Sequence, residues 1–379
     1  MRIITITQAA FRYGAHTRHK EIVRELLKAG HDVTWVGPSR ADTEDMKGVN
    51  YLELKKSRIS RVPLFGALLT GLLAVKTYED EFRRADTIFA IGEYEIFSIV
   101  SIKSLRSGNI IFIQRADTIE KSQVMHQQSE RLAGKFWYYL RGSLSKQLQK
   151  FNSRFLTKVI VQTEHHKSRM LEQGLANGLK VEVLPNNSKP SWVGRSAVNG
   201  GRETSCASPY VVGFVGNLMY EMKGLDLLVE MFQLLRRSID CELVVIGGGS
   251  GETRLRQKIE ELGLQDHCAL KGRIDNASNL MGGFDVLFAP TRYDDCPNVI
   301  LEAMAMGVPV VASRIDAHEF LMGTDSEGLV DFNTRQMAEL LEAVLIDEGL
   351  RERLIAAQNE RVREFDFDWG EAMTVAITG

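Results

Sequence analysis

The stretch Val286–Ser313, VLFAPTRYDDCPNVILEAMAMGVPVVAS, decides how the rest of the chain reads. Val286–Ala289 is a short apolar run closed by Pro290, which predicts a buried parallel strand. A polar loop, Thr291–Pro297, follows it. Asn298–Met306 carries apolar residues at helical spacing, and Gly307 stands where a helix stops. Val308–Ser313 reads as the next strand, so the unit is strand–loop–helix–strand with almost no slack. Two carboxylates flank the loop: Asp294 before the helix and Glu302 one turn inside it. Backbone N–H groups at a helix start attract anions, and a carboxylate beside them can grip hydroxyls. A sugar attached to a phosphate needs both. The bland alternative is a capped turn, DDCPN, with Glu302 as a solvated helix residue.

The same run resembles the signature of the retaining GT-B glycosyltransferases of family 4 (glycosyl transferases group 1), in which two acidic residues are separated by seven others. There the first acid contacts the donor sugar and the second the ribose of the nucleotide. The resemblance carries these roles to Asp294 and Glu302. The family's usual first residue is Glu, and Asp294 is one methylene shorter.

The 379 residues are enough for two domains of ordinary size, and 44% hydrophobic with 25% charged residues is a globular profile. Cys206, Cys241, Cys268 and Cys296 show no paired close spacing, so neither a zinc site nor a disulfide framework is signalled, and reduced, cytosolic thiols are expected. The opening MRIITITQAAFRYG lacks a signal peptide's apolar core and reads as a first strand. The net charge of −2 hides an asymmetry: residues 1–190 hold 30 Lys+Arg against 19 Asp+Glu, and the remainder 17 against 30. A basic first half suggests an anionic partner such as lipid headgroups or a phosphorylated acceptor, unless the charge is merely spread over solvated surfaces.

In chain order, Arg2–Thr7 reads as a strand, Thr17–Ala29 as a helix ended by Gly30, and His31–Val36 as a second strand. Gly30-His31-Asp32-Val33 matches the start of GT-B N-terminal domains. Gly14 stands in the first loop, where the family has a glycine pair near the donor diphosphate; a plain turn explains one glycine as well. Ser57–Tyr78 mixes Arg58, Arg61 and Lys76 with an apolar run too short to span a bilayer. It fits a helix on a membrane surface or a core helix. Thr87–Ile91, Ile110–Gln114 and Lys158–Gln162 read as further buried strands. Where many members carry a histidine after the strand at Ile110–Gln114, this chain has Arg115-Ala116-Asp117. Arg115 and Asp117 are candidates for the acceptor side, or for an ion pair fixing the loop. His126, in a polar helical stretch, reads as solvated.

Val181–Asn187 resembles the family strand that closes the first domain, and Ser188–Ser208 is rich in Ser, Gly and Asn without periodicity, as a linker would be. Val211–Val215 begins a second alternating run. Lys223-Gly224 matches the family pair whose lysine binds the donor diphosphate, a role suited to a compact point charge. The customary arginine six residues earlier is Asn217 here. Gly247–Gly251 reads as a tight strand–helix turn. Cys268–Arg273 resembles the strand that pairs with the nucleotide base. Asp366 and Asp368 are spaced like metal ligands, but Phe367 and Trp369 favour a packed joint.

The expected architecture is therefore α/β: two Rossmann-like domains with parallel sheets facing a cleft. The boundaries are 1–188, a linker at 189–208, the donor domain at 209–365 and a C-terminal helix at 366–379 that crosses back. The resemblance implies transfer of a sugar from a nucleotide-diphosphate donor of UDP or GDP type to an acceptor hydroxyl, with retention of configuration. The acceptor would be a sugar or lipid-linked glycan of cell-envelope synthesis. Lys223 and Asp294 are the catalytic candidates. Glu302, Gly14, Gly216, Asn217, Arg273, Asn298 and Val299 are candidates for donor binding. The resemblance implies no cofactor and no metal. No nucleic-acid partner is expected, and the chain is placed in the cytoplasm, peripheral at the inner face of the membrane. Two other readings stay open: a non-catalytic partner subunit with a decayed donor site, and a nucleotide-sugar epimerase of similar fold, which would lack this acidic spacing.

Overall fold

The computed structural model describes residues 1–8, 14–39, 46–54, 65–129, 131–176, 178–188, 209–274 and 277–379. The linker expected at 189–208 lies outside the described residues. The chain divides into two compact units. The first comprises Met1–Ser122, Tyr139–Pro185 and Asp368–Gly379; the second comprises Gln123–Tyr138 and Asn186–Phe367.

The first unit is built on seven parallel strands: β1 Arg2–Ile6, β2 Asp32–Gly37, β3 Asn50–Glu53, β4 Thr87–Ala90, β5 Asn109–Ile113, β6 Lys158–Val161 and β7 Lys180–Val183. Their order is β3-β2-β1-β4-β5-β6-β7, which reverses direction between β1 and β4. The inner strands β1, β4, β5 and β6 are largely apolar and buried because both faces of such a sheet are covered by helices, whereas the edge strands β3 and β7 carry Asn50, Glu53, Lys180 and Glu182. The terminal helix Trp369–Thr378 covers part of one face. Trp369 is buried under the Arg18 guanidinium, 4.5 Å from its ring, and Lys158 donates to the Ala376 carbonyl at 2.5 Å. Asp368 caps this helix by accepting from Glu371 N at 2.9 Å, which gives it a local structural task.

Of the basic, apolar segment Ser57–Tyr78, residues 57–64 lie outside the described residues. The remainder forms the helix Phe65–Thr77. It packs against the helix Glu93–Ser101 and places Ala74 and Val75 in the core. Gly71 makes that approach feasible: a Cβ there would lie 2.3 Å from Ser98 Oγ. The core reading of this helix is the one its packing supports.

The second unit carries six parallel strands: β8 Tyr210–Val215, β9 Cys241–Ile246, β10 Cys268–Gly272, β11 Val286–Ala289, β12 Val310–Ser313 and β13 Leu329–Val330, in the order β10-β9-β8-β11-β12-β13. Strand periodicity sorts their side chains onto two cores. Val212, Phe214, Leu243, Val245, Val286 and Phe288 join the helices Leu225–Leu235 and Thr334–Ile346. Val244, Ile246, Leu287, Ala289, Val310 and Ala312 face the helix Asn298–Ala305 instead. Each unit is thus a Rossmann-like α/β domain with a parallel sheet.

Candidate active site

In an open parallel sheet, ligands bind beyond the carboxyl ends of the strands, where the strand order reverses. In the second unit that point lies between β8 and β11, which pair directly through Val286–Val212 and Leu287–Gly213. The loop leaving β8 runs through Gly216 and Asn217 to Lys223; the loop leaving β11 runs through Thr291 to Asp294. Chain topology alone therefore brings residues 71 positions apart to one place. Lys223 Nζ donates to Asp294 Oδ2, and both side chains are about four-fifths buried.

Several contacts hold the two loops in register. Arg292 grips Asp226 with two hydrogen bonds, 2.7 and 2.5 Å, and also donates to the Glu221 carbonyl at 2.9 Å. Arg292 N donates to the Met222 carbonyl at 2.9 Å. Ser313 Oγ, at the end of β12, donates to the Thr291 carbonyl at 2.5 Å. Gly224 supplies the close approach: its φ is +61°, and a Cβ there would stand 2.0 Å from the Pro290 carbonyl oxygen. A second tight contact joins the turn after β9 to the loop after β8. Gly247 lies so near that a Cβ would be 1.8 Å from Gly216 O. That is the physical reason for the glycine run, which is a strand–helix turn.

The electrostatics centre on the ion pair. Burial alone would push the Asp294 carboxyl up, but the Lys223 ammonium and its hydrogen bond outweigh that and hold it below the usual carboxylate range. His318 stands in the same cavity with Thr291, Pro297 and Val299. Its Nδ1 lies 2.7 Å from the Ser313 carbonyl, so the neutral ring carries its proton there. Its pKa is pushed down to about 4, chiefly by burial, against the Ser313 hydrogen bond and the Asp294 charge. Nε2 is buried and finds no hydrogen-bond partner among the described residues.

The helix Asn298–Ala305 begins without a side-chain cap, as do the helices Leu225–Leu235 and Glu252–Glu261 that follow β8 and β9. Later in the same unit, Asn333 and Asp347 cap their helices with side chains. The uncapped starts after β8, β9 and β11 leave helix N–H groups able to meet an anion, whereas the helix after β13, capped by Asn333, does not.

The other candidates distribute as follows. Val299 lines the cavity with Lys223 and Asp294, and Asn298 opens the helix beside them. Glu302 lies half-buried one turn on, outside the residues lining that cavity. Gly216 directly follows β8, Asn217 is exposed, and Arg273 is exposed just past β10. In the first unit, Gly14 is the first residue of the helix Gly14–Lys28. Arg115 and Asp117 each make other contacts. The Asp117 carboxylate accepts from Ile119 N and Glu120 N, both at 3.0 Å, and from Arg169 Nε at 3.1 Å. Arg115 instead stands over the Trp369 ring, 5.4 Å from its centroid. Asp117 is thus already committed to capping the helix Thr118–Gln128. His126 is half-buried rather than solvated, with Nδ1 2.8 Å from the Lys135 carbonyl.

Sequence reasoning missed Arg292 as a member of this centre, and placed His318-Glu319, by resemblance, only on a helix beneath the site without a role for the histidine. An arginine beside two aspartates in a polar loop reads as solvated, and a single histidine on a short helix gives no spacing to follow.

Residues 209–347 match the family Glycosyl transferases group 1. The chain is 32% identical over 149 residues to the alpha-D-kanosaminyltransferase of Streptomyces kanamyceticus, covering 38% of each chain. It is 33% identical over 159 residues to the phosphatidyl-myo-inositol mannosyltransferase of Mycobacterium leprae, covering 41% of this chain and 42% of that one. The matches thus span about two-fifths of these relatives' length. The whole chain superposes on the sucrose-phosphate synthase of Thermosynechococcus elongatus with a TM-score of 0.80 at 19% identity, covering 99% and 96% of the two chains. Residues 209–347 thus carry the match to the glycosyl transferases group 1, in a chain whose fold is that of GT-B structures.

Proposed function

We propose that this chain is a retaining, metal-independent glycosyltransferase that moves a sugar from a nucleoside-diphosphate donor, of UDP or GDP type, to an acceptor hydroxyl. The observation that carries the reading is the Lys223–Asp294 pair at the strand-order reversal, beside an uncapped helix start. An ammonium has three donors, and Asp294 uses one, so Lys223 retains capacity for a diphosphate. Charge develops on the leaving diphosphate as the glycosidic bond breaks, and a fixed cation there lowers the barrier without added reorganisation. The N–H groups of Asn298 and Val299 would share the phosphate charge. Asp294, aimed by Lys223, would orient sugar hydroxyls, with Nε2 of His318 as a further acceptor in the same cavity. Glu302 would hold the ribose; Gly216 and Asn217 would lie along the diphosphate and Arg273 toward the base. Gly14 would serve donor binding, and Arg115 and Asp117 would belong to the acceptor side.

The acceptor is proposed to be a sugar or lipid-linked glycan of cell-envelope polysaccharide, lipopolysaccharide or glycolipid synthesis, met by a chain lying peripherally on the inner face of the membrane. The name of the mycobacterial relative, a phosphatidyl-myo-inositol mannosyltransferase, and the basic balance of residues 1–190 support this. A thermal-shift screen against nucleotide sugars, with and without a chelator, tests the donor reading, since a ligand that binds only the folded state raises its stability. Product stereochemistry by NMR tests retention. No stabilisation by any nucleotide sugar would refute the donor site.

A further inference from the structure

One histidine in the second unit carries an unmet hydrogen bond. His318 is fully buried on the helix Asp316–Met322, which follows β12. Its ring is held from behind: Nδ1–H donates to the Ser313 carbonyl at 2.7 Å, and Ser313 Oγ donates in turn to the Thr291 carbonyl at 2.5 Å. The His318 backbone N–H donates to the Ile315 carbonyl at 2.9 Å. These contacts fix the tautomer and leave Nε2 as a bare acceptor. Among the described residues of the second unit, Nε2 of His318 is the one buried side-chain nitrogen or oxygen without a hydrogen-bond partner. At the other end of β12 the buried Gln358 spends both ends of its amide on Val310, at 3.0 and 2.9 Å.

An apolar side chain would fill the same volume without leaving a buried acceptor unmet, so the ring stands there at a cost to stability. Its surroundings limit what can satisfy it. The ring lines the cavity shared by Lys223, Asp294, Thr291, Pro297 and Val299. Burial keeps the imidazole neutral near pH 7, with its pKa pushed down to about 4 against the pull of the Asp294 charge. The charged groups facing it are the Asp294 carboxylate and the Lys223 ammonium, already joined to each other. Nε2 and Asp294 thus present two acceptors to one space. An anionic group brought there would meet a lone pair and a negative charge. A carbon-bound hydrogen or fluorine would leave Nε2 unmet, whereas an O–H or N–H satisfies it.

We propose that His318 is a specificity-determining residue of the donor site, whose Nε2 accepts a hydrogen bond from one hydroxyl of the transferred sugar while Asp294 accepts from a neighbouring one. The donors this admits are sugars with a free hydroxyl or amino group at that carbon. Sugars deoxygenated, fluorinated or carrying a carboxylate there are rejected. This role rests on the donor reading above and sets the class of sugar that the same site takes. Discrimination of this kind is strong because an analogue lacking the hydroxyl leaves the buried acceptor unpaired.

The test is calorimetry on the full chain with UDP, GDP, UDP-glucose, UDP-galactose, UDP-N-acetylglucosamine and GDP-mannose as probes. For the nucleotide sugar that binds tightest, analogues deoxygenated at each single carbon of the sugar are then compared. At least one analogue should bind about tenfold to hundredfold more weakly than its parent. His318→Leu should weaken the parent by about the same factor and leave that one analogue within about twofold of its wild-type affinity. His318→Gln, which keeps an acceptor, should retain most of the discrimination. Affinity for UDP or GDP alone should stay within about twofold in both variants, and melting midpoints check folding. Should the leucine variant not fold, His318→Phe takes its place, being close to the native ring in shape. No sensitivity to any deoxygenation, or equal losses for the parent and every analogue on removing the imidazole, would overturn the proposal; the second result would make the ring a packing residue. Absence of binding by every probe would strike the donor reading and this role together, whereas intact diphosphate binding without discrimination strikes this role alone.

Discussion

Lys223→Ala is the substitution that bears hardest on the donor site. In the native protein its ammonium is hydrogen-bonded to Asp294, with 16% of the lysine and 22% of the aspartate side chain exposed. Opposite unit charges about 4 Å apart at an effective dielectric near 20 attract by ~4 kcal/mol, and desolvation of both groups offsets much of that. A net coupling of ~1–3 kcal/mol is expected for a pair in direct contact. During turnover the same ammonium would face the leaving diphosphate. Losing one preorganised charged contact there costs ~3 kcal/mol, or about a hundredfold in rate. Lys223→Ala should therefore lower kcat by at least about a hundredfold.

The pairing adds a sharper expectation. With Lys223 gone, burial of the Asp294 carboxyl is no longer outweighed, so its pKa moves up and the acidic limb of the rate profile should shift to higher pH. Because the two side chains act together, Lys223→Ala/Asp294→Asn should be little worse than the more damaging single change. The assay is initial-rate release of nucleoside diphosphate from whichever donor stabilises the protein, across pH, with circular dichroism to check folding. Turnover unchanged by Lys223→Ala, or fully additive losses in the double variant, would refute the reasoning.

Glu302→Gln should weaken binding of the free nucleoside diphosphate by about tenfold, since a charge-assisted hydrogen bond to the ribose becomes a neutral one, while Asp294→Asn leaves that binding within about twofold; calorimetry showing the reverse would exchange the two roles. His318 titrates at about 4 in the folded chain against 6.5 when free, a depressed folded value, so the stability it confers is full above about 6.5 and is lost as pH falls through 4. By pH 4 the loss is ~3 kcal/mol, and His318→Gln should shrink the difference in unfolding free energy between pH 7 and pH 4 by about that amount; an unaltered difference would rule the histidine out as its source. Gly224→Ala forces a side chain into a left-handed backbone and against the Pro290 carbonyl, at a cost of at least ~2 kcal/mol, whereas Gly30→Ala, at φ +82° with open space around it, should cost only ~1 kcal/mol. Equal melting shifts for the two would mean that the Gly224–Pro290 approach is not a constraint.

What the sequence made legible follows from how far each physical signal reaches along the chain. The strand–loop–helix–strand unit at Val286–Ser313 was readable because a buried parallel strand, a proline stop and a helix-ending glycine are local properties; β11 has the expected bounds, the helix Asn298–Ala305 is shorter by one residue and β12 by two. Asp294 was readable from the same stretch. That Lys223 pairs with it was not, because the contact is made by the sheet order β8-β11, which skips 71 residues and leaves no periodic trace. Arg292 and Asp226 were hidden for the same reason. The helix Leu132–Asn152 shows a further limit. Its apolar spacing says that one face differs from the other, but a period of 3.6 carries no information on whether that face is covered. The same spacing places Ala74 and Val75 in the core of the helix Phe65–Thr77 and leaves Leu132 and Phe136 in the open. Charge separates the two cases: the exposed stripe lies in a stretch, Arg131–Thr163, without an acidic residue, where a neutral or cationic neighbour would leave seven cations unbalanced. An exposed apolar stripe within an acid-free segment is therefore a stronger sign of an anionic surface than apolar length, which had pointed to Ser57–Tyr78.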